Sequence, residues 1–158
     1  MIKRIVLALD GSPEADQALP VAQELALGLG AAVTVVHVRE MMLAPVVGGV
    51  PRRIDEGQVE ATVRADVEAL IAAGVDAELR IVASTYAGGP AHEIAEAARD
   101  VEAGLIVAGV RGLGLIKGLL VGSVAHRLPY VARCPVLTVP LPQDPEDESG
   151  QDADGEGG

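Results

Sequence analysis

The chain reads as an α/β protein: an open, parallel, Rossmann-like sheet with helices on both faces. Three observations lead there. Short apolar runs alternate with segments whose apolar residues recur at helical spacing, from the first residues to about residue 140. The first run, Ile2 to Leu9, is almost continuously apolar after its charged start, as expected of a strand buried on both faces. Strands that alternate with helices require right-handed crossovers, and these make neighbouring strands parallel. A length of 158 residues suits one domain, and 49% hydrophobic residues supply a core.

Element by element, Ile2–Leu9 is the first strand. Asp10-Gly-Ser-Pro13 follows, with Ser12 suited to cap a helix and Pro13 to its first position. Ala15, Ala18, Leu19, Ala22, Leu25, Ala26 and Leu29 make a helical stripe ended by Gly28 and Gly30, with Pro20 expected to kink it. Ala32–Val38 is the second strand and 39–53 a loop. Residues 54–73 form a helix with Val59, Val63, Val67, Leu70 and Ile71 on one side, and 76–83 the third strand. Gly88-Gly-Pro90 starts the next helix, with Ala91, Ile94, Ala95, Ala98 and Val101 inward. Leu105–Ala108 and Val136–Val139 are the fourth and fifth strands. The domain so defined spans 1–142.

Composition narrows the function. The chain has no Phe or Trp and two Tyr, so base stacking on aromatics is not expected, nor nucleic acid as a partner. One cysteine, Cys134, allows no internal disulfide and fits a reducing compartment. The apolar run Ile5–Leu9 is too short for a signal peptide or membrane span, so a cytoplasmic protein without membrane insertion is expected. The net charge of -11 is mostly one tail: seven of the 23 acids fall after residue 143, without a Lys or Arg. Residues 143–158 are expected to be a disordered acidic tail.

Chemistry gathers in the last third of the domain. Gly109-Val-Arg-Gly112 follows the fourth strand, and after nine residues Gly122-Ser123 opens the helical segment Ser123–Leu128. Glycines at strand exits let backbone N–H groups approach an anion, and the helix start adds unpaired N–H groups and partial positive charge. From Ala103 to Gln143 there is no Asp or Glu, where even spacing would put about five. Arg111, Lys117, Arg127 and Arg133 lie in the same window. A polyphosphate is well met by such a surface, although a buried terminal segment would also avoid acids. Two other glycine motifs fit poorly. A dinucleotide fingerprint needs an acid some twenty residues on, and none occurs before Asp144; a P-loop needs Gly-Lys-[Ser/Thr], whereas Lys117 precedes Gly118. The glycines could also serve only a tight apolar loop.

The spacing G-x2-G-x9-G-[S/T] resembles the nucleotide-binding signature of the universal stress protein family. So do Asp10-Gly-Ser12, His37-Val38, Gly89-Pro-Ala-His-Glu-Ile94 and Cys134-Pro-Val-Leu-Thr-Val139. The resemblance runs from Met1 to about Leu141 and implies sheet order 3-2-1-4-5, with ATP at the carboxyl edge, expected together with Mg2+ or Mn2+. It implies contacts to adenine and ribose from Ala8, Leu9, Asp10 and Val38. Ala108 and Gly109 match the fourth-strand exit, and Gly112, Gly122, Ser123 and Val124 the phosphate and ribose contacts. Arg111 is either a phosphate partner or an ordinary exposed base. Strands one and four flank the switch point at which open α/β sheets bind ligands.

Asp10 suits three roles: ribose contact, metal ligand or helix cap. His37, His92 and His126 lack metal-ligand spacing; His37 is expected beside the nucleotide and the other two on helix surfaces. The fifth strand, Pro135–Pro140, is short, apolar and uncharged, and ends the sheet. It is expected to pair with a second copy, as related proteins do, unless the apolar loop Met41–Val50 shields it. The expected function is an ATP-binding, stress-response regulatory homodimer acting on an unidentified protein partner. Slow ATP hydrolysis, or ATP as a structural stabiliser only, are the rivals; no positioned general base is evident near the glycine loop.

Overall fold

The computed structural model describes residues 1–39, 55–84, 88–110 and 123–141. Five strands, β1 (Arg4–Ala8), β2 (Ala32–Arg39), β3 (Ala77–Ala83), β4 (Leu105–Gly109) and β5 (Val136–Val139), form one sheet in the order β3-β2-β1-β4-β5. Every pairing is parallel. The helices between them are α1 (Pro13–Asp16), α2 (Ala18–Leu29), α3 (Glu56–Ala72), α4 (Gly89–Asp100) and α5 (Ser123–Val131). The acidic tail 143–158 and the loop Met41–Val50 lie outside the described residues.

Side chains alternate across the strands and divide the core in two. Ile5, Leu7, Leu9, Val33, Val35, Leu105 and Val107 face one side, where Ala18, Ala22 and Ala26 of α2 and Val63, Val67 and Leu70 of α3 cover them. Val6, Ala8, Val36, Ile106 and Ala108 face the other, under Ala91, Ile94, Ala97 and Ala98 of α4 and Leu128 of α5. With no Phe or Trp, the packing relies on branched strand residues against helix alanines, which lets helices approach the sheet closely.

Two expectations need correction. Pro20 does not kink one long helix; the helix is interrupted at Gln17, giving α1 and α2. Proline has no N–H for the carbonyl of Asp16 four residues back, and its ring crowds that carbonyl. The break therefore falls upstream of Pro20, which sits in the first turn of α2. Leu29 and Ile71, expected inward, are 42% and 53% exposed. Each lies in the last turn of its helix, and beside Ile71 it is Leu70, 0% exposed, that faces the core.

Candidate functional site

Parallel strands end at one edge, so their exits meet. Ala8 is level with Val36 of β2 and with Ala108 of β4. Two residues further on stand Asp10 and Val110, just past their strands, and Val38, still within β2 and level with Val82 of β3. Gly109 is level with Val139, and the N–H of Val110 donates to the Val139 carbonyl at 2.9 Å. Ala8 and Ala108 belong to the α4/α5 side of the core, with Val38 and Val124 packed against it. Four of the sequence-predicted residues thus share one apolar wall. Leu9 differs: its side chain is 3% exposed on the opposite face. Ser123, at the start of α5, is exposed. Arg111, Gly112 and Gly122 lie outside the described residues.

The turn after β1 is built by its own side chains. The Asp10 carboxylate accepts from the Ser12 N–H at 3.0 Å and the Ser12 hydroxyl at 2.6 Å. Ser12 Oγ in turn accepts from the Ala15 N–H at 3.1 Å, capping α1. The capping role therefore belongs to Ser12, and Asp10 orients it. Gly11 makes the turn possible: its φ is +74°, and a Cβ there would meet Val59 Cγ1 of α3 at 2.9 Å.

His37 is where sequence reasoning saw least. It is 2% exposed, with Nδ1–H donating to the Leu9 carbonyl at 3.0 Å and Nε2 3.3 Å from Glu56 Oε2 at the start of α3. One clue was available: a lone polar ring in an otherwise apolar strand. Its partners, 28 and 19 residues away, were not. Beside it, Arg39 at the end of β2 pairs with Glu60 of α3.

Two helix starts point at the same edge, those of α4 and α5, and both bring unpaired N–H groups and partial positive charge. Arg127 of α5 comes within 3.9 Å of the Cβ position on Gly89. His92 and His126 are exposed, as expected. Among the described residues, no three His, Cys, Asp or Glu form a metal-binding group. Burial pushes the Cys134 thiol up, which makes it a poor nucleophile. No described helix is long and apolar enough to cross a membrane.

Comparison with known proteins agrees with this geometry. The model of the Universal stress protein family matches residues 1–140. A universal stress protein of Thermus aquaticus, encoded in the QAH/OAS sulfhydrylase 3' region, is 37% identical over 141 residues, covering 88% of this chain and 99% of the relative. Universal stress protein YxiE of Bacillus subtilis is 35% identical, covering 88% and 99%. Among solved structures, a universal stress protein from Archaeoglobus fulgidus in complex with dAMP is 29% identical, with a TM-score of 0.60 and coverage of 87% and 97%. Another universal stress protein, in complex with cAMP, is 25% identical, with a TM-score of 0.66 and coverage of 89% and 98%.

Proposed function

This chain belongs to the universal stress protein family, and from that premise we propose that it is a cytoplasmic regulatory module that binds ATP and acts as a homodimer. One observation carries the reading. The parallel register gathers the exits of β1, β2 and β4 at the switch point, beside the start of α5, where the glycine signature enters and leaves. The adenine lies against the wall of Ala8, Val38, Ala108 and Val124, with backbone of Leu9 and Asp10 at its rim. Arg111, Gly112, Gly122 and Ser123 receive the phosphates, with Arg127 adding charge from α5. The adenine nucleotides held by the two related structures favour this class of ligand.

Mg2+ or Mn2+ would accompany the phosphates. Bound nucleotide orders the segment between Gly109 and Gly122 and alters the dimer surface offered to a protein partner. The test is calorimetric titration of ATP into wild type and Gly122→Val. The valine places a side chain against the phosphates, so binding is expected to be lost. Equal affinity in both proteins overturns the assignment.

A further inference from the structure

We propose that His37 is a positioning residue for the ligand. It fixes the Leu9–Asp10 peptide at the mouth of the site through Nδ1 and fastens that point to α3 through Nε2. The inference deepens the nucleotide-binding reading and rests on it for its effect on affinity.

A polar ring buried to this degree is costly unless its nitrogens are hydrogen-bonded, and both are engaged. A carbonyl only accepts, so Nδ1 carries a proton; a carboxylate also accepts, so the Nε2 contact is a hydrogen bond only with a second proton, on the ring or on Glu56. β1 ends at Ala8, and just beyond it Leu9 is held twice by β2. Its N–H donates to the Val36 carbonyl at 3.1 Å, and its carbonyl accepts from the His37 ring. The side chain thus continues the sheet's grip where the ladder runs out.

Leu9 C=O and Asp10 N–H form one peptide unit. A hydrogen bond at its oxygen fixes the plane and polarises the N–H. Asp10 then holds Ser12, and Ser12 caps α1. From the other side, Val59 of α3 closes on Gly11, while Glu56, one turn earlier, meets Nε2. The ring therefore joins β1, β2 and α3 at the loop that the nucleotide must touch.

Three substitutions separate the two bonds. The amide of His37→Asn reaches the position of Nδ1 and can still donate to Leu9. That of His37→Gln reaches toward Glu56 instead, and His37→Phe fills the space without either bond. ATP affinity is measured by calorimetry, with melting temperatures recorded alongside. Expected is affinity within about threefold of wild type for Asn, and about tenfold weaker for Gln and Phe, the worth of one well-placed buried bond. Gln or Phe proteins that are folded and bind ATP as wild type does overturn the proposal. So does an Asn variant as weak as Phe.

The Asp10 amide 15N resonance is followed without nucleotide. It should stay near its wild-type position in Asn and move in Gln and Phe. An unmoved resonance in all three overturns the proposal independently of any ligand. Wild type that fails to bind ATP sinks the nucleotide reading instead, and the Asp10 resonance then decides whether His37 holds the peptide.

Discussion

Among the described residues, β3 and β5 each pair on one side only, yet they are dressed differently. β3 has seven residues and carries Glu78 and Arg80. Glu78 pairs with Arg4 at 2.9 Å and accepts from the Thr34 hydroxyl at 2.9 Å; Arg80 pairs with Asp100 of α4 at 2.7 Å. β5 has four residues, Val-Leu-Thr-Val, without a charge, and Leu137 is 37% exposed. Nearby Tyr130 and Val131 of α5 are 80% and 38% exposed. Open backbone groups invite pairing with another chain, and charges on an edge discourage it. The contrast leaves β3 with a charged margin and β5 with an uncharged one, the margin at which the proposed dimer would pair.

The largest test breaks β5. In the proposed dimer a two-fold axis counts each loss twice, so Leu137→Lys removes two apolar contacts and inserts two charges. A dimer dissociation constant at least about a hundredfold higher is expected, from the value of a buried leucine. Light scattering reads it; a dimer indifferent to the lysine moves the interface elsewhere.

The second test makes β3 resemble β5. Glu78→Val with Arg80→Val, in the Leu137→Lys background, should create an apolar edge and raise self-association about tenfold. Sedimentation that stays monomeric at all concentrations would show that charge is not what protects β3.

The third concerns α3, which covers the β3 half of the sheet. Burial, and next the charge of Asp16, push the Asp66 carboxyl up to about 6, and Asp66 Oδ2 is buried without a hydrogen-bond partner. An acid whose folded value is raised costs nothing below the unfolded value, near 4. The cost builds as pH climbs from there to the folded value and is complete above it. Asp66→Asn should therefore raise stability by about 1 kcal/mol at pH 7.5, after allowance for solvent screening, with the gain gone by about pH 4. Thermal melts across this range check it; a gain equal at both ends rejects ionisation as the cause.

The smallest is Arg80→Ala alone. Its ion pair is partly exposed, and a loss under about 1 kcal/mol is expected in denaturant unfolding. A larger loss would mean that the pair braces β3 against α4.

Much of this was legible in the chain. Apolar runs and helical spacing placed all five strands to within a residue or two, because period and length are local properties of a buried face. The edge position of β5 followed from its place as the last strand, while the order that sets Asp10 beside Gly109 came from the family resemblance. The helix break was misplaced because proline acts on a carbonyl four residues before itself. Leu29 and Ile71 were assigned inward because apolar spacing identifies a face only broadly; Leu70, the neighbour of Ile71, is the residue that is buried.

What the sequence determined by itself is therefore the order of elements, the parallel sheet that this order demands, and the edge at which the glycine signature emerges. Tertiary structure alone decided what meets across the register. It put Leu9 and Ala8 on opposite faces at the site, raised the Asp66 titration by burying the carboxyl and, secondarily, by bringing Asp16 near it, and set His37 between Leu9 and Glu56. The physical reason is the same in each case. Hydrogen bonds and charges act over a few ångströms of space, whereas the residues concerned lie 19 to 50 positions apart in the chain, except where neighbours point to opposite faces of a pleated strand.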